Sequence, residues 1–406
     1  HPLLIFALWI VGGILALLGA LCYAELGSMM PEAGGEYVYL RETYGPAFGF
    51  MSAFVSLTAG FSAAIASATE SFVVYLGNFV PFLSETRLLV GGIGVVDVAA
   101  VGVTWALVWI HMRSARSGTD FNDAITAFKV VGIVAILLAA AAFGRGDASN
   151  LVTASPSFQE LGRTETLAAL GTSLIFVMFC FAGWNAAAYV ASEMEDPQRD
   201  LPRALLLGTG TVLVLYLGLN AVYLYGASVD QLAGEVDVGV VASRTLFGDW
   251  GVSLVTVVLC ASILASASAM TFAGPRVYYA LGKDFTPFAA LSRTRPGGAP
   301  AAALVTQGVV TSIFILSGRV DQIQQYAGFT LSLFASLAVS CVIVLRLRRP
   351  DAERPFRAWG YPLSPVLFLA VSAWMMFWAF QGRPVESALG LLTIVVGGVI
   401  FALQRR

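Results

Sequence analysis

Three runs in this 406-residue chain, Leu3–Leu21, Leu167–Phe181 and Val252–Ala267, contain no charged residue at all, and comparable runs recur to the C-terminus. A bilayer core about 30 Å thick is crossed by roughly 20 apolar residues in a helix. A transmembrane β-strand would instead alternate apolar and polar residues over about 10 positions, and no such alternation is present. Charged residues make up 12% of the chain, against about 25% in a soluble domain. The mean hydropathy is +0.79. A soluble fold of this size needs a polar shell that these residues cannot supply. The expected fold class is therefore an all-α polytopic membrane protein, with the lipid bilayer as its first partner.

Eleven spans are predicted, at about 3–26, 46–76, 88–111, 122–143, 167–192, 203–226, 250–281, 300–317, 323–346, 362–380 and 386–403. They sort the cationic residues into two groups. One holds Arg41, Arg113, Arg116, Arg199, Arg203, Arg276, Lys283, Arg293, Arg295, Arg346, Arg348, Arg349, Arg354, Arg357, Arg405 and Arg406. The other holds Arg87, Arg145, Arg163, Arg244, Arg319 and Arg383, and Lys129 falls inside a span. Cytoplasmic loops carry the excess of Arg and Lys, so the larger group is expected inside, with the C-terminus cytoplasmic and residue 1 outside. The chain begins His1-Pro2 and enters an apolar helix directly. A twelve-span protein without its first helix is the simplest expectation from that topology.

Several function classes are disfavoured. The net charge of −2 gives no basic balance for nucleic acid. Gly282-Lys283 is followed by Asp284 rather than Ser or Thr, so no phosphate-binding loop of an ATP-driven pump is seen. The only histidines are His1 and His111, and no paired catalytic carboxylates lie in a span. No enzymatic activity and no cofactor are expected. Cys22, Cys180, Cys260 and Cys341 all sit in apolar stretches without metal-type spacing or a disulfide framework. None marks an external site for a covalent partner subunit.

The segment 176–203, FVMFCFAGWNAAAYVASEMEDPQRDLPR, is the most informative. Small residues and an Asn at Ala182-Gly183-Trp184-Asn185 fall near mid-membrane and weaken the helical ladder. Non-helical backbone at that depth survives only where protein covers it or it lines a wet cavity. Transporters use such breaks to bind charged groups on freed carbonyls and helix ends. Close helix packing through Gly183 explains the same residues, and both readings stay open. The prolines of Asp196-Pro197 and Leu201-Pro202 mark a cytoplasmic loop with fixed turns. Glu193 is either half of an inner-gate ion pair or a solvated charge at a helix end. Lys129 lies roughly 10 Å along its helix from Asn122 at 1.5 Å per residue. It either snorkels to the surface or is a buried ammonium in the role of a coupling cation. Glu25, at a helix end, and Glu70 and Asp97 are the other charges near spans.

Four segments, in order, resemble the amino acid/polyamine/organocation superfamily of permeases, most closely its L-type amino acid transporter branch. GALCYAELGSMMPEAGGEYVYLRETYG (19–45) resembles the second helix and following loop, and ITAFK (125–129) the start of the fifth. FAGWNAAAYVASEMEDPQRDLPRA (181–204) resembles the broken sixth helix, and GPRVYYALGKD (274–284) the end of the eighth. The resemblance implies a single transport domain of two inverted five-helix repeats and two added helices. Residues 1–143 would be the remainder of the first repeat, 167–346 the second and 362–403 the added pair. The family's first helix, whose glycine-rich break holds the substrate carboxylate, would be absent from these residues, and the chain alone would not transport.

The resemblance further implies alternating-access transport of an amino acid without ATP. The carbonyls of Phe179, Cys180 and Ala182 would meet the substrate amine across the break at Gly183, with Phe179 as an aromatic gate. Asn185 would be a polar substrate contact and Trp184 a packing residue. Lys129 would stand where sodium-dependent relatives bind sodium. The sequence departs from the pattern at Phe181, where Tyr is common, at Ala188, where some members have Asn, and at Ser192, in place of the first residue of a Glu-Glu pair. The resulting wall of Phe179, Cys180, Phe181 and Ala182 is apolar and points to neutral amino acids, through exchange or proton coupling. A polyamine carrier of the same fold, needing Glu70 or Asp97 in its pocket, and a non-transporting sensor are the competing expectations.

Overall fold

The computed structural model describes residues 1–84, 88–90, 93–113, 115–155, 162–235, 237–295, 299–317 and 320–404. The charge-sorting positions Arg87, Arg319, Arg405 and Arg406, and the side chain of Arg116, lie outside the described residues. Among the described residues, ten helices are long and apolar enough to cross a bilayer, and Ala301–Ser317 adds a shorter apolar helix. The protein is a multi-pass membrane protein.

In chain order the helices are α1 (Pro2–Met29), the short α2 (Glu36–Tyr44), α3 (Pro46–Leu76), α4 (Val95–Arg113) and α5 (Ala115–Phe143). After α6 (Arg163–Phe181) comes the single turn α7 (Ala186–Tyr189), then α8 (Pro197–Gly226) and α9 (Val238–Asp284). The last four are α10 (Ala301–Ser317), α11 (Val320–Arg348), α12 (Leu363–Gly382) and α13 (Pro384–Gln404). A short antiparallel pair, β1 (Leu88–Val90) with β2 (Ile93–Gly94), precedes α4.

One core joins α1, α2, α3, α6, α8, α9 and α11 around buried aromatics such as Tyr23, Tyr37, Tyr39, Phe50, Tyr278 and Phe334. α1 lies along α8, α6 along α12, and α9 bridges α3 and α5. α5 is peripheral, with Val131, Leu138 and Phe143 exposed. In a bilayer such exposed apolar side chains face lipid tails, which are as apolar as the core.

The structure corrects several predicted boundaries. Helix α4 begins at Val95 rather than 88, because residues 88–90 and 93–94 pair as strands and Asp97 accepts the Gly94 N–H at 2.7 Å. The turns expected around Pro197 and Pro202 are the opening of α8. Pro197 occupies the first turn, where no intrahelical donor is needed, and Pro202 removes one bond close to the helix start. About half of the connection expected at 227–249 is helical, as α9 starts at Val238 and bends at Gly248, whose φ is 70°. The span predicted over 167–192 is a helix only as far as Phe181.

At one end of the bundle, buried Glu25 closes α1 onto the segment after α11. Arg346 donates to its two oxygens at 2.9 and 2.5 Å, the Ala358 N–H donates at 2.7 Å, and Arg354 lies 3.4 Å away. Arg354 also donates to the carbonyls of Ala352 at 2.7 Å and Arg349 at 2.8 Å. An acid at a helix end thus becomes the anchor of an otherwise irregular connection. Removing one partner of a buried ion pair costs about 3–5 kcal/mol because the remaining charges stay desolvated. Glu25→Ala is expected to lose stability of that order, seen as a lower thermal unfolding midpoint in detergent, whereas an unchanged midpoint would mean that the arginines resolvate freely.

Candidate functional site

The interruption between α6 and α7 is the structural centre of the candidate site. The helical ladder stops at Phe181, Ala182 turns to φ −55° and ψ 134°, and Gly183 takes φ 102°. A left-handed φ of this kind is open to glycine and costly for residues with a Cβ. Tight turns replace the lost ladder, with Ala182 N–H donating to Phe179 C=O at 2.9 Å and Trp184 N–H to Phe181 C=O at 3.1 Å. The Cys180 carbonyl accepts from the Tyr216 hydroxyl of α8 at 2.8 Å. Two of the three carbonyls expected to face a substrate amine therefore already hold one hydrogen bond, and each retains a second lone pair.

Cys180, Ala182 and Gly183 are exposed, and Phe179 is half-buried. Together they form an open, uncharged surface at the break. Phe181, expected in the same wall, is buried instead. Its ring lies 6.0 Å from Trp9 and 5.1 Å from Tyr216, within an aromatic cluster behind the break. Trp184 packs edge-on against Tyr23 at 4.7 Å and Phe368 at 6.5 Å, which pins the segment to α1 and α12. The other three cysteines, Cys22, Cys260 and Cys341, are buried.

Asn185 does not turn to the open surface. Its amide donates to Glu36 at 2.8 Å and to the Tyr189 hydroxyl at 3.2 Å. Glu36, at the start of α2, is almost fully buried and also accepts from Tyr23. Burial pushes its carboxyl above the ordinary carboxylate range, while the hydrogen bonds from Tyr23, Asn185 and Tyr189 pull the other way. Sequence reasoning missed Glu36 as a site residue, although an acid directly after Gly34-Gly35, between two apolar spans, was a signal for it. Tyr216 and Tyr189 were missed too, because a Tyr in an apolar helix has no distinctive local pattern.

Glu193, just beyond the break, meets Arg276 of α9 at 3.0 Å. Arg276 also stacks over Phe272, its guanidinium carbon 3.6 Å from the ring centroid. A second ion pair, Arg41 with Asp284 at 2.6 Å, joins α2 to the end of α9, and Tyr37 donates to the same Asp284. Lys129 stands apart. It is half-buried on α5 and makes no hydrogen bond or ion pair with any described residue. Glu70 is buried on α3, and Asp97 sits in the first turn of α4, and neither acid is hydrogen-bonded to a residue of the break among the described residues. A cleft of about 880 Å³ at the start of α8 contains none of the break residues.

An interrupted helix with an uncharged open surface, backed by aromatics and tied down by polar contacts on its inner side, can take a small zwitterion on backbone groups. The amino acid permease family model matches residues 1–401. The chain is 28% identical over 399 residues to the b(0,+)-type amino acid transporter 1 of Mus musculus, covering 97% of this chain and 79% of that protein. It is 26% identical over 394 residues to the Cystine/glutamate transporter of Homo sapiens, covering 96% and 76%. It is also 26% identical over 406 residues to the Large neutral amino acids transporter small subunit 2 of Mus musculus, covering 97% and 73%. With the family matched over nearly its whole length, the chain belongs to the amino acid permeases, and its function is amino acid transport.

Proposed function

We propose that the protein is a sodium-independent carrier of neutral amino acids in the cell membrane, working by exchange or proton coupling through alternating access. The observation that carries this reading is the break itself, where Cys180, Ala182 and Gly183 are exposed and no residue from Phe179 to Asn185 is charged. A substrate side chain of either sign would find no partner there, while backbone carbonyls suit an α-amine. Phe179 serves as the gate over the site and Lys129 as the fixed cation in place of a coupling ion. Residues 1–143 and 167–346 act as the two inverted repeats, with 362–403 added to them.

The C-terminus lies in the cytoplasm on this reading. Arg41, Arg276, Arg346 and Arg354 all enter ion pairs at one end of the bundle, with Asp284, Glu193 and Glu25, in keeping with an excess of positive charge inside. The Glu193–Arg276 pair joins the segment after the break to α9 and forms part of the inner gate. Polyamine transport is disfavoured because no residue of the break from Phe179 to Asn185 is acidic.

The full-length protein in liposomes is expected to take up radiolabelled leucine several-fold faster when the vesicles are preloaded with amino acid, or when a proton gradient is imposed, and equally well with sodium or choline outside. No accumulation of any amino acid would overturn the carrier reading, and tight binding without flux would favour a sensor. Lys129→Gln should cut uptake by about tenfold or more while leaving the unfolding midpoint near that of the parent. Gly183→Ala forces a Cβ into a left-handed turn at a cost of roughly 1–2 kcal/mol. Its uptake should fall with a raised KM, and unaltered kinetics would place the binding surface elsewhere.

A further inference from the structure

The Glu36 contact has a geometry that suits a latch. Gly34 and Gly35 both have positive φ, 114° and 49°, and turn the start of α2 onto the segment after the break. A Cβ on Gly35 would lie 2.8 Å from the Tyr189 ring, so only glycine admits this approach. The Gly34 N–H donates to the Tyr189 carbonyl at 3.4 Å. One carboxylate oxygen of Glu36, Oε1, then accepts from Asn185 at 2.8 Å and also from Tyr23 of α1.

α2 itself is fixed to α11. Tyr44 and Ser340 share a hydrogen bond of 2.6 Å, and Arg348 donates to the Thr43 carbonyl at 3.0 Å. A side chain on a fixed element thus holds Asn185 at the end of the interruption between α6 and α7. The groups facing the carboxyl are Tyr23 from α1, Tyr39 on its own helix, Asn185 and Tyr189 from the broken segment and Cys341 from α11. Among the described residues none of its contacts is cationic. Its hold on Asn185 therefore depends on its own charge, since a hydrogen bond to an ionised acceptor is roughly twice as strong as a neutral one.

We propose that Glu36 is a positioning residue for transport, which when ionised holds Asn185 and the inner half of the broken helix, and on protonation releases them. This rests on the carrier reading above. The proton comes from solvent, adds to a carboxylate oxygen and returns to solvent when the segment closes, and no other covalent bond forms or breaks. Burial already favours the neutral acid, so release falls at milder acidity than for an exposed glutamate.

Two readouts test it. The first is exchange turnover and KM as a function of pH. The second is the pH titration of Trp184 fluorescence, taken as the difference from a Trp184→Phe variant, since this ring rests on Tyr23 4.7 Å away. In the parent protein, turnover should rise as pH falls with little change in KM, and Trp184 should titrate in the same range. Glu36→Gln and Asn185→Ala should each abolish both pH dependences and hold turnover near the acid limit, and the double variant should be no faster than either. A parent-like pH profile in either single variant, additive effects in the double, or a folded Glu36→Gln with no turnover at any pH would overturn the proposal. Should Glu36→Gln not fold, Asn185→Ala decides alone, because it leaves the Tyr23–Glu36 bond in place. If the parent protein transports nothing, the carrier reading fails, while a Trp184 titration that Asn185→Ala removes would still support the latch.

Discussion

A backbone amide or carbonyl inside a bilayer has no water to bond with, and an unsatisfied group there costs several kcal/mol. That constraint makes the chain helical almost throughout, and it dictates what surrounds each departure from the helix. At Phe181 the ladder fails, and turn hydrogen bonds within 179–186 and the Tyr216 hydroxyl on Cys180 take over. The break is tolerated because α8 brings a phenol to the orphaned carbonyl. A π-helical turn over Ser56–Ser62 in α3 is handled in a related way, with the Thr58 hydroxyl donating to the Phe54 carbonyl at 3.0 Å.

Charge is distributed by the same logic. Two buried acids, Glu25 and Glu36, are met by arginines or by several neutral donors, whereas Glu70 Oε2 has no hydrogen-bond partner among the described residues. Glu25 takes two arginines and a backbone N–H, and so ties the connection after α11 to the end of α1. Glu36 takes only neutral donors. The first arrangement fixes a permanent negative charge in a rigid staple, while the second leaves a carboxyl whose charge can change without stranding a buried cation. The staple at Glu25 and the proposed latch at Glu36 therefore use the same residue type with opposite surroundings.

Most of the architecture was legible in the residues, because a bilayer imposes one dominant period and length on any helix that crosses it. The break at Ala182–Asn185 was one of two readings of the same small residues, and the family resemblance, not their spacing, favoured it over close helix packing. Its neighbours were not legible. Asn185 was expected as a substrate contact, and its amide is bonded to Glu36, 149 positions away in the chain. Phe181 was expected in the open wall and instead joins Trp9 and Tyr216 behind it. Both sets of partners depend on direction around a helix end, where the regular 100° step that predicts a face has stopped applying. The helix expected from residue 88 failed for a different reason, as apolar β-branched residues fit a strand as readily as a span.

What the sequence by itself determined is the fold class and the approximate places of the spans, since each follows from composition and local spacing read against the bilayer. The tertiary structure alone decided which groups meet at the break between α6 and α7. Glu36, Tyr23 and Tyr216 come from three separate helices, and hydrogen bonds of 2.8 Å from Asn185 and Tyr216 exist only once those helices pack. Contacts of such long separation leave no local trace, because a glutamate or tyrosine chosen for a distant partner looks the same in the chain as one chosen for none.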